Sequence, residues 1–149
     1  MAGEQRALMV VAVALVDHAG RVLMQRRPAD REHGGLWEFP GGKLEPGEGP
    51  LAALVREVDE ELSIEVSPGD CVPLGFAAND APGIVAVAGA PRRDVVLLLY
   101  GCARWRGEPR AEEGAELGWI APDVCESLEM PPLDVPLARL AFEYAQANG

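Results

Sequence analysis

The chain is short of positive charge. Its 13 Lys+Arg stand against 24 Asp+Glu, a formal net charge of −11. A protein that acidic is a poor holder of a nucleic-acid duplex, whose affinity rests on cationic contacts to phosphates. A single nucleotide remains compatible, provided metal ions mediate the contact. Cysteine is scarce as well: Cys71, Cys102 and Cys125 are odd in number, widely spaced and without metal-ligand clustering. They read as small core residues in a reducing compartment. The two histidines, His18 and His33, fall in predicted loops without partners at ligand spacing and read as surface residues. No apolar run is long enough for a membrane. The segment Ala7–Val16 is too short to span a bilayer, lacks a signal-peptide cleavage pattern and is β-branched enough to suggest a strand. Repeats, low-complexity stretches and interdomain linkers are also missing. The expectation is a single cytoplasmic domain over residues 1–149, with no membrane partner and a monomeric or dimeric state left open.

What is present is a series of strand candidates mixed with two substantial helices. Residues 7–16 read as a buried strand, 17–20 as a turn, and 21–27 as its antiparallel partner in an opening hairpin. A polar loop, 28–36, ends at Trp37. Residues 64–66 suggest a short strand and 71–78 a weaker one. The small-residue stretch 79–93 is a hairpin extension or a loop. Residues 94–105 form the most continuous apolar run, a candidate central strand. A last strand is expected near 116–120, a short helix in 122–128 and an amphipathic helix over 135–146. Strands mixed with two substantial helices predict an α/β sandwich.

The most informative stretch runs from Gly41 to Ile64. It starts as a turn-dense loop holding Gly41, Gly42, Gly47 and Gly49, then continues as a helix with Pro50 in its first turn, where a missing N–H costs nothing. Leu51, Leu54, Val55, Val58 and Leu62 form a core-facing stripe. Glu57, Glu60 and Glu61 fall at i, i+3 and i+4 beside it. Like charges at that spacing repel by roughly 0.2–0.5 kcal/mol per pair. They also crowd the end of the helix where the macrodipole disfavours them. A solvated acidic face would carry these costs without return, whereas a hard divalent cation would cancel them.

This stretch resembles the Nudix box, G-x5-E-x7-R-E-U-x-E-E-x-G-U, with U bulky and aliphatic. Gly42, Glu48, Arg56, Glu57, Val58, Glu60, Glu61 and Ile64 all fall in register, and only the final glycine departs, as Ser63. Outside the box, RRPAD at 26–30, LWEFPGGK at 36–43, WRGEP at 105–109, EEGAELGW at 112–119 and PPLDVP at 131–136 resemble the MutT-type branch. The likeness covers nearly the whole chain apart from roughly 77–93. It implies a Nudix-type α/β/α sandwich around a mixed β-sheet. The implied reaction is Mg²⁺-dependent (Mn²⁺ possible) attack of water on a nucleoside triphosphate, 8-oxo-dGTP or another (d)NTP, giving the monophosphate and pyrophosphate. Two alternatives stand beside it: hydrolysis of another nucleoside diphosphate derivative, such as ADP-ribose or a dinucleoside polyphosphate, and a non-catalytic nucleotide-sensing module.

The resemblance also assigns residues. Glu57, Glu60 and Glu61 would hold metal, with the Gly41 carbonyl and a loop acid, Glu113 or its neighbour Glu112. Glu57 is the first choice for general base, with Glu48 as another candidate. Arg56 would orient a neighbouring glutamate through a fork-shaped ion pair. Arg27, or Arg26, would clamp a phosphate. Phe39 and Leu36 would line the base pocket, with Trp37 stacking or packing beside them. Asp134 would read the base, or else cap the helix it precedes. Ser63 would have to adopt the left-handed turn usual for the box glycine, which serine tolerates at a cost of roughly 1 kcal/mol.

Overall fold

The computed structural model describes residues 7–30, 34–81 and 93–149. Strands β1 (Leu8–Leu15), β2 (Val22–Arg26), β3 (Trp37–Glu38) and β4 (Gly41–Lys43) lead into helix α1 (Pro50–Leu62). After a single 3₁₀ turn at Pro68–Asp70 come β5 (Cys71–Ala78), β6 (Val95–Cys102), β7 (Glu116–Ile120), the short helix α2 (Pro122–Cys125) and α3 (Val135–Asn148).

Four strands form a mixed sheet in the order β4-β1-β6-β5, with β1 parallel to β6 and the outer pairs antiparallel. A strand inside such a sheet is buried on both faces and can be apolar without interruption, and β1 is. Ala12 and Ala14 pack against Leu137, Ala141 and Phe142 of α3, while Val11, Val13 and Leu15 pack against Leu54, Val58 and Leu62 of α1. The two helices therefore cover opposite faces of the sheet, which is the α/β/α sandwich expected.

Three details depart from the sequence reading. Residues 8–15 and 22–26 do not form a hairpin within one sheet. Strand β2 instead pairs with β3 and β7 in a separate antiparallel sheet, and only a bridge between Val16 and Val22 joins the two. Gly41 and Gly42 take the edge of β1 that β2 would have used. On α1, Leu51, in the first turn where the helix is only beginning to dock, is exposed, and Ala53 is buried instead. Residues 64–66 make only an isolated bridge, Glu65 to Arg106. His33 and most of 79–93 lie outside the described residues. Among the described residues no helix is long and apolar enough to cross a membrane.

Candidate active site

Helix α1 is anchored by Leu54, Val58 and Leu62, and this anchoring turns its acidic row towards β4. A Cβ on Gly42 would sit 2.2 Å from Glu57 Oε2, so the carboxylate lies directly on the strand backbone. At Gly41 a Cβ would meet the Val11 carbonyl oxygen at 1.9 Å, because β4 runs too close to β1 for any side chain there. The Gly41 N–H donates to Glu61 Oε2 at 2.9 Å. The two glycines thus do different work, one admitting the neighbouring strand and the other admitting a carboxylate.

Arg56 sits at the centre of the cluster. Its Nε and Nη2 donate to the two oxygens of Glu48, each at 2.8 Å, while Nη1 donates to Glu57 Oε1 at 2.9 Å and Glu60 Oε2 at 3.2 Å. Nη2 also reaches the Lys43 carbonyl at 3.1 Å. One guanidinium therefore fixes three carboxylates relative to β4. Glu48 is held at its other side by the Glu45 N–H, across the turn through Gly47. Hydrogen bonding from Arg56, helped by that N–H, draws the Glu48 carboxyl down to about 2. A carboxylate held that far below its ordinary range is a weak proton acceptor near neutral pH.

Glu61 is the opposite case. Burial pushes its carboxyl up to about 8, with repulsion from Glu112, Glu38 and Glu57 adding to the effect and the Gly41 N–H opposing it. A buried carboxylate facing three others is the environment that a divalent cation converts from repulsive to attractive. The donors are hard oxygens on one helix face, of the type such cations take. As the side chains stand, Arg56 engages Glu57 and Glu60, and no group of three or more His, Cys, Asp or Glu among the described residues is close enough to hold an ion. The donor chemistry fits a divalent metal. Of the loop acids, Glu112 bears on Glu61 by its charge; Glu112 and Glu113 are both exposed in the segment before β7.

A second polar group lies where β3 meets the start of α3. Asp134 is 5% exposed, and its Oδ2 accepts the Phe39 N–H at 3.0 Å. The helix cap is supplied by its backbone alone: the side chain makes no capping bond, and the Asp134 carbonyl takes the N–H groups of Leu137 and Ala138. Burial pushes the Asp134 carboxyl up to about 7; the Phe39 N–H and Arg27 pull it down and Glu38 pushes it up. The Phe39 ring itself is buried in the core, so Phe39 meets Asp134 through its backbone and does not offer its ring as a pocket wall. Trp37 packs on the same core, with its ring against Gly118. Leu36 is half-buried and pairs by its carbonyl with the Arg27 N–H. The Arg27 side chain bonds Glu38 at 2.5 Å, whereas Arg26 makes an exposed 3.5 Å pair with Glu116 on β7.

Glu38 is the residue that the sequence reading passed over. Its charge bears on both Glu61 and Asp134. Alternation was the available signal. Trp37 and Phe39 pack into the core on one side of the strand, and the residue between them must project to the other. Its register partner on β2, Gln25, is 5% exposed and has a buried side-chain oxygen with no hydrogen-bond partner among the described residues.

Residues 6–143 match the model of the NUDIX domain family. The chain belongs to the Nudix family. Along 130 residues it is 35% identical to a CTP pyrophosphohydrolase of Escherichia coli, covering 87% of this chain and 88% of that protein. An 8-oxo-dGTP diphosphatase of Proteus vulgaris is 33% identical over 112 residues, 75% of this chain and 90% of the relative. Among solved structures, the ORF135 protein of E. coli superposes with a TM-score of 0.74 at 32% identity, covering 99% of this chain and 96% of that one. The chain is thus a Nudix hydrolase, and its relatives include enzymes named as pyrophosphohydrolases and diphosphatases. Within this Nudix frame the Arg56 cluster is the box and the Asp134–Phe39 contact lies outside it.

Proposed function

We propose that this Nudix hydrolase is a Mg²⁺-dependent nucleoside triphosphate pyrophosphohydrolase that converts a canonical or damaged (d)NTP to the monophosphate and pyrophosphate. The observation that carries the reading is the Arg56 cluster, in which Glu57 and Glu60 are held on one guanidinium above the glycine edge of β4. Similarity over most of the chain to two triphosphate-cleaving relatives supports the substrate class.

Glu57, Glu60, Glu61 and the Gly41 carbonyl would hold the ion, with Glu112 or Glu113 as the loop contribution. When bound, Mg²⁺ supplies charge neutralisation for the phosphates and an acidified water. The protein's own groups do the rest. Arg56 keeps Glu57 in place, and Glu57 accepts the proton as water attacks phosphorus and the phosphoanhydride bond breaks. Arg27 meets phosphate charge, and Glu38 fixes its direction. Asp134 keeps Oδ2 on the Phe39 N–H and turns its remaining acceptor capacity to the base, where an ionised carboxylate accepts from an exocyclic amino group. That chemistry suits cytosine better than the 6-oxo edge of guanine.

The test is a turnover panel of 8-oxo-dGTP, dGTP, dCTP, modified dCTP and ADP-ribose with Mg²⁺ or Mn²⁺, reading pyrophosphate and monophosphate. Pyrophosphate from a triphosphate is the expected product. Turnover of ADP-ribose alone, or binding without turnover of any nucleotide, overturns the reading. Glu60→Gln and Glu61→Gln should each lower kcat by about two orders of magnitude or more with the fold retained.

A further inference from the structure

Away from the Arg56 cluster, the fold brings together two cysteines that stand far apart in sequence. Cys71 opens β5 and Cys102 ends β6, and they are direct partners in the antiparallel register. Residues so paired project to the same face with Cα atoms roughly 4.5–5.5 Å apart. Disulfides span Cα separations of about 4.4–6.8 Å. Both side chains lie in the α1-side core, close enough for each thiol to bear on the other's titration. Each thiol also faces a backbone carbonyl: Cys71 Sγ is 3.5 Å from that of Ser67 and Cys102 Sγ is 3.0 Å from that of Arg104. Ser67 and Arg104 in turn line a cavity of about 260 Å³ together with Asp70, Trp105 and Arg106. The sulfur pair therefore lies behind the wall of this hollow, in contact with two of the residues that line it. Cys71 is 8% exposed and Cys102 fully buried.

We propose that Cys71 and Cys102 form a redox-modification site, oxidised by a small hydroperoxide entering through this cavity to a cross-strand disulfide. One sulfur, as thiolate, attacks the peroxide oxygen; the O–O bond breaks, leaving a sulfenic acid and releasing alkoxide or hydroxide, which takes up the proton the thiol gave up. The second thiol then attacks the sulfenic sulfur, the S–S bond forms, the S–O bond breaks and water departs. Two thiols lose two hydrogens and two electrons, and the peroxide is reduced to an alcohol (or water) plus water. The bond would tie the segment after α1 to the segment after β6, which already touch through the Glu65–Arg106 bridge. It uses no nucleotide and no metal.

The experiment treats the folded protein with hydrogen peroxide, then counts free thiols and measures intact mass and peptide linkage. The protein starts with three free thiols, Cys71, Cys102 and Cys125. Two should disappear together, with a mass loss of two hydrogens, a linked Cys71–Cys102 peptide pair and a higher melting temperature, since the cross-link restricts the unfolded chain. Dithiothreitol should reverse all four changes. Cys125→Ala should behave like the parent in each readout, while Cys71→Ala and Cys102→Ala should lose the linkage. Sulfinic or sulfonic products without a link, a link through Cys125, or disulfides between chains overturn the proposal. Because the wild-type chain supplies the decisive readout, the result does not depend on either variant folding.

Discussion

Arg56 and Glu48 meet as a fork, Nε to Oε2 and Nη2 to Oε1, both at 2.8 Å, and the same guanidinium continues to Glu57 and Glu60. The geometry needs a planar, multiply donating cation. A lysine at this position is a compact point charge with three donors but no planar fork to grip both oxygens of Glu48 while reaching Glu57 and Glu60.

Arg56→Lys should therefore keep the helix yet lower kcat by about 10- to 100-fold, with KM changed far less, because it disturbs positioning and leaves substrate contacts in place. Steady-state kinetics with circular dichroism on the same preparation checks it. A variant with parental kcat would show that the Glu57 orientation does not depend on the fork.

The glycine pair at 41–42 gives a contrast within two residues. At Gly42 the obstacle to a Cβ is the end of the Glu57 side chain, which can swing aside. Gly42→Ala should cost less than about 1 kcal/mol of stability while displacing the carboxylate and removing most activity. At Gly41 the obstacle is the backbone of Val11 and Ala12, which cannot move without opening the β1–β4 ladder. Gly41→Ala should cost roughly 2 kcal/mol or more. Denaturant melts and turnover of both variants separate the two, and equal destabilisation would undo the distinction.

Much of this site was visible in sequence because its spacing is local. Glu57, Glu60 and Glu61 share a helix face by periodicity alone, and Pro50 marks where that helix starts. Residues 94–105 and 135–146 also declared themselves by apolar pattern, and both elements are present close to those bounds. What periodicity cannot carry is pairing between distant segments. It could not show that β1 gives its edge to Gly41 and Gly42 instead of to β2, nor that Cys71 faces Cys102. Asp134 shows the same limit: its position before α3 fits a capping role, and only the fold reveals that its carboxylate turns away to the Phe39 N–H. Glu38, framed by two aromatic residues, was legible in its direction and not in its partners.

Ser63 ends α1 at φ 58° and ψ 35°, the only described residue other than glycine with positive φ. Its N–H still bonds the Asp59 carbonyl at 3.0 Å, so the helix is closed despite the strain. Restoring glycine should relieve a left-handed conformation that costs an L-residue about 1 kcal/mol, offset in part by glycine's greater freedom when unfolded. Ser63→Gly is expected to stabilise the protein by about 0.5 kcal/mol and leave kcat unchanged. A loss of stability on urea unfolding would mean that the serine side chain contributes something the backbone geometry does not reveal.

Asp134 makes the clearest pH prediction. Its carboxyl lies near 7 in the folded protein against an ordinary value of 3.8, and Glu61 near 8 against 4.5, in both cases chiefly through burial. Between those limits the native state binds more protons than the unfolded chain, so metal-free stability should fall as pH rises from about 4 to about 8. Glu48 acts in the other direction: held near 2 by Arg56, it contributes stability that is lost as pH drops from about 4.5 towards 2. The contribution of these three groups to metal-free stability should therefore be greatest at roughly pH 4–5. Asp134→Asn removes the titrating group while its amide oxygen can still accept the Phe39 N–H. That variant should be more stable than the parent at pH 8, by on the order of 1–3 kcal/mol, and should have a shallower pH slope between 4 and 7. It should also change the ratio of kcat/KM between cytosine and guanine substrates by about tenfold or more, because an amide both donates and accepts at any pH whereas the carboxyl donates only when protonated. Urea melts across the pH range give the first readout and the nucleotide panel the second. Parallel stability curves would remove Asp134 as the titrating group, and an unchanged base ratio would remove it from recognition.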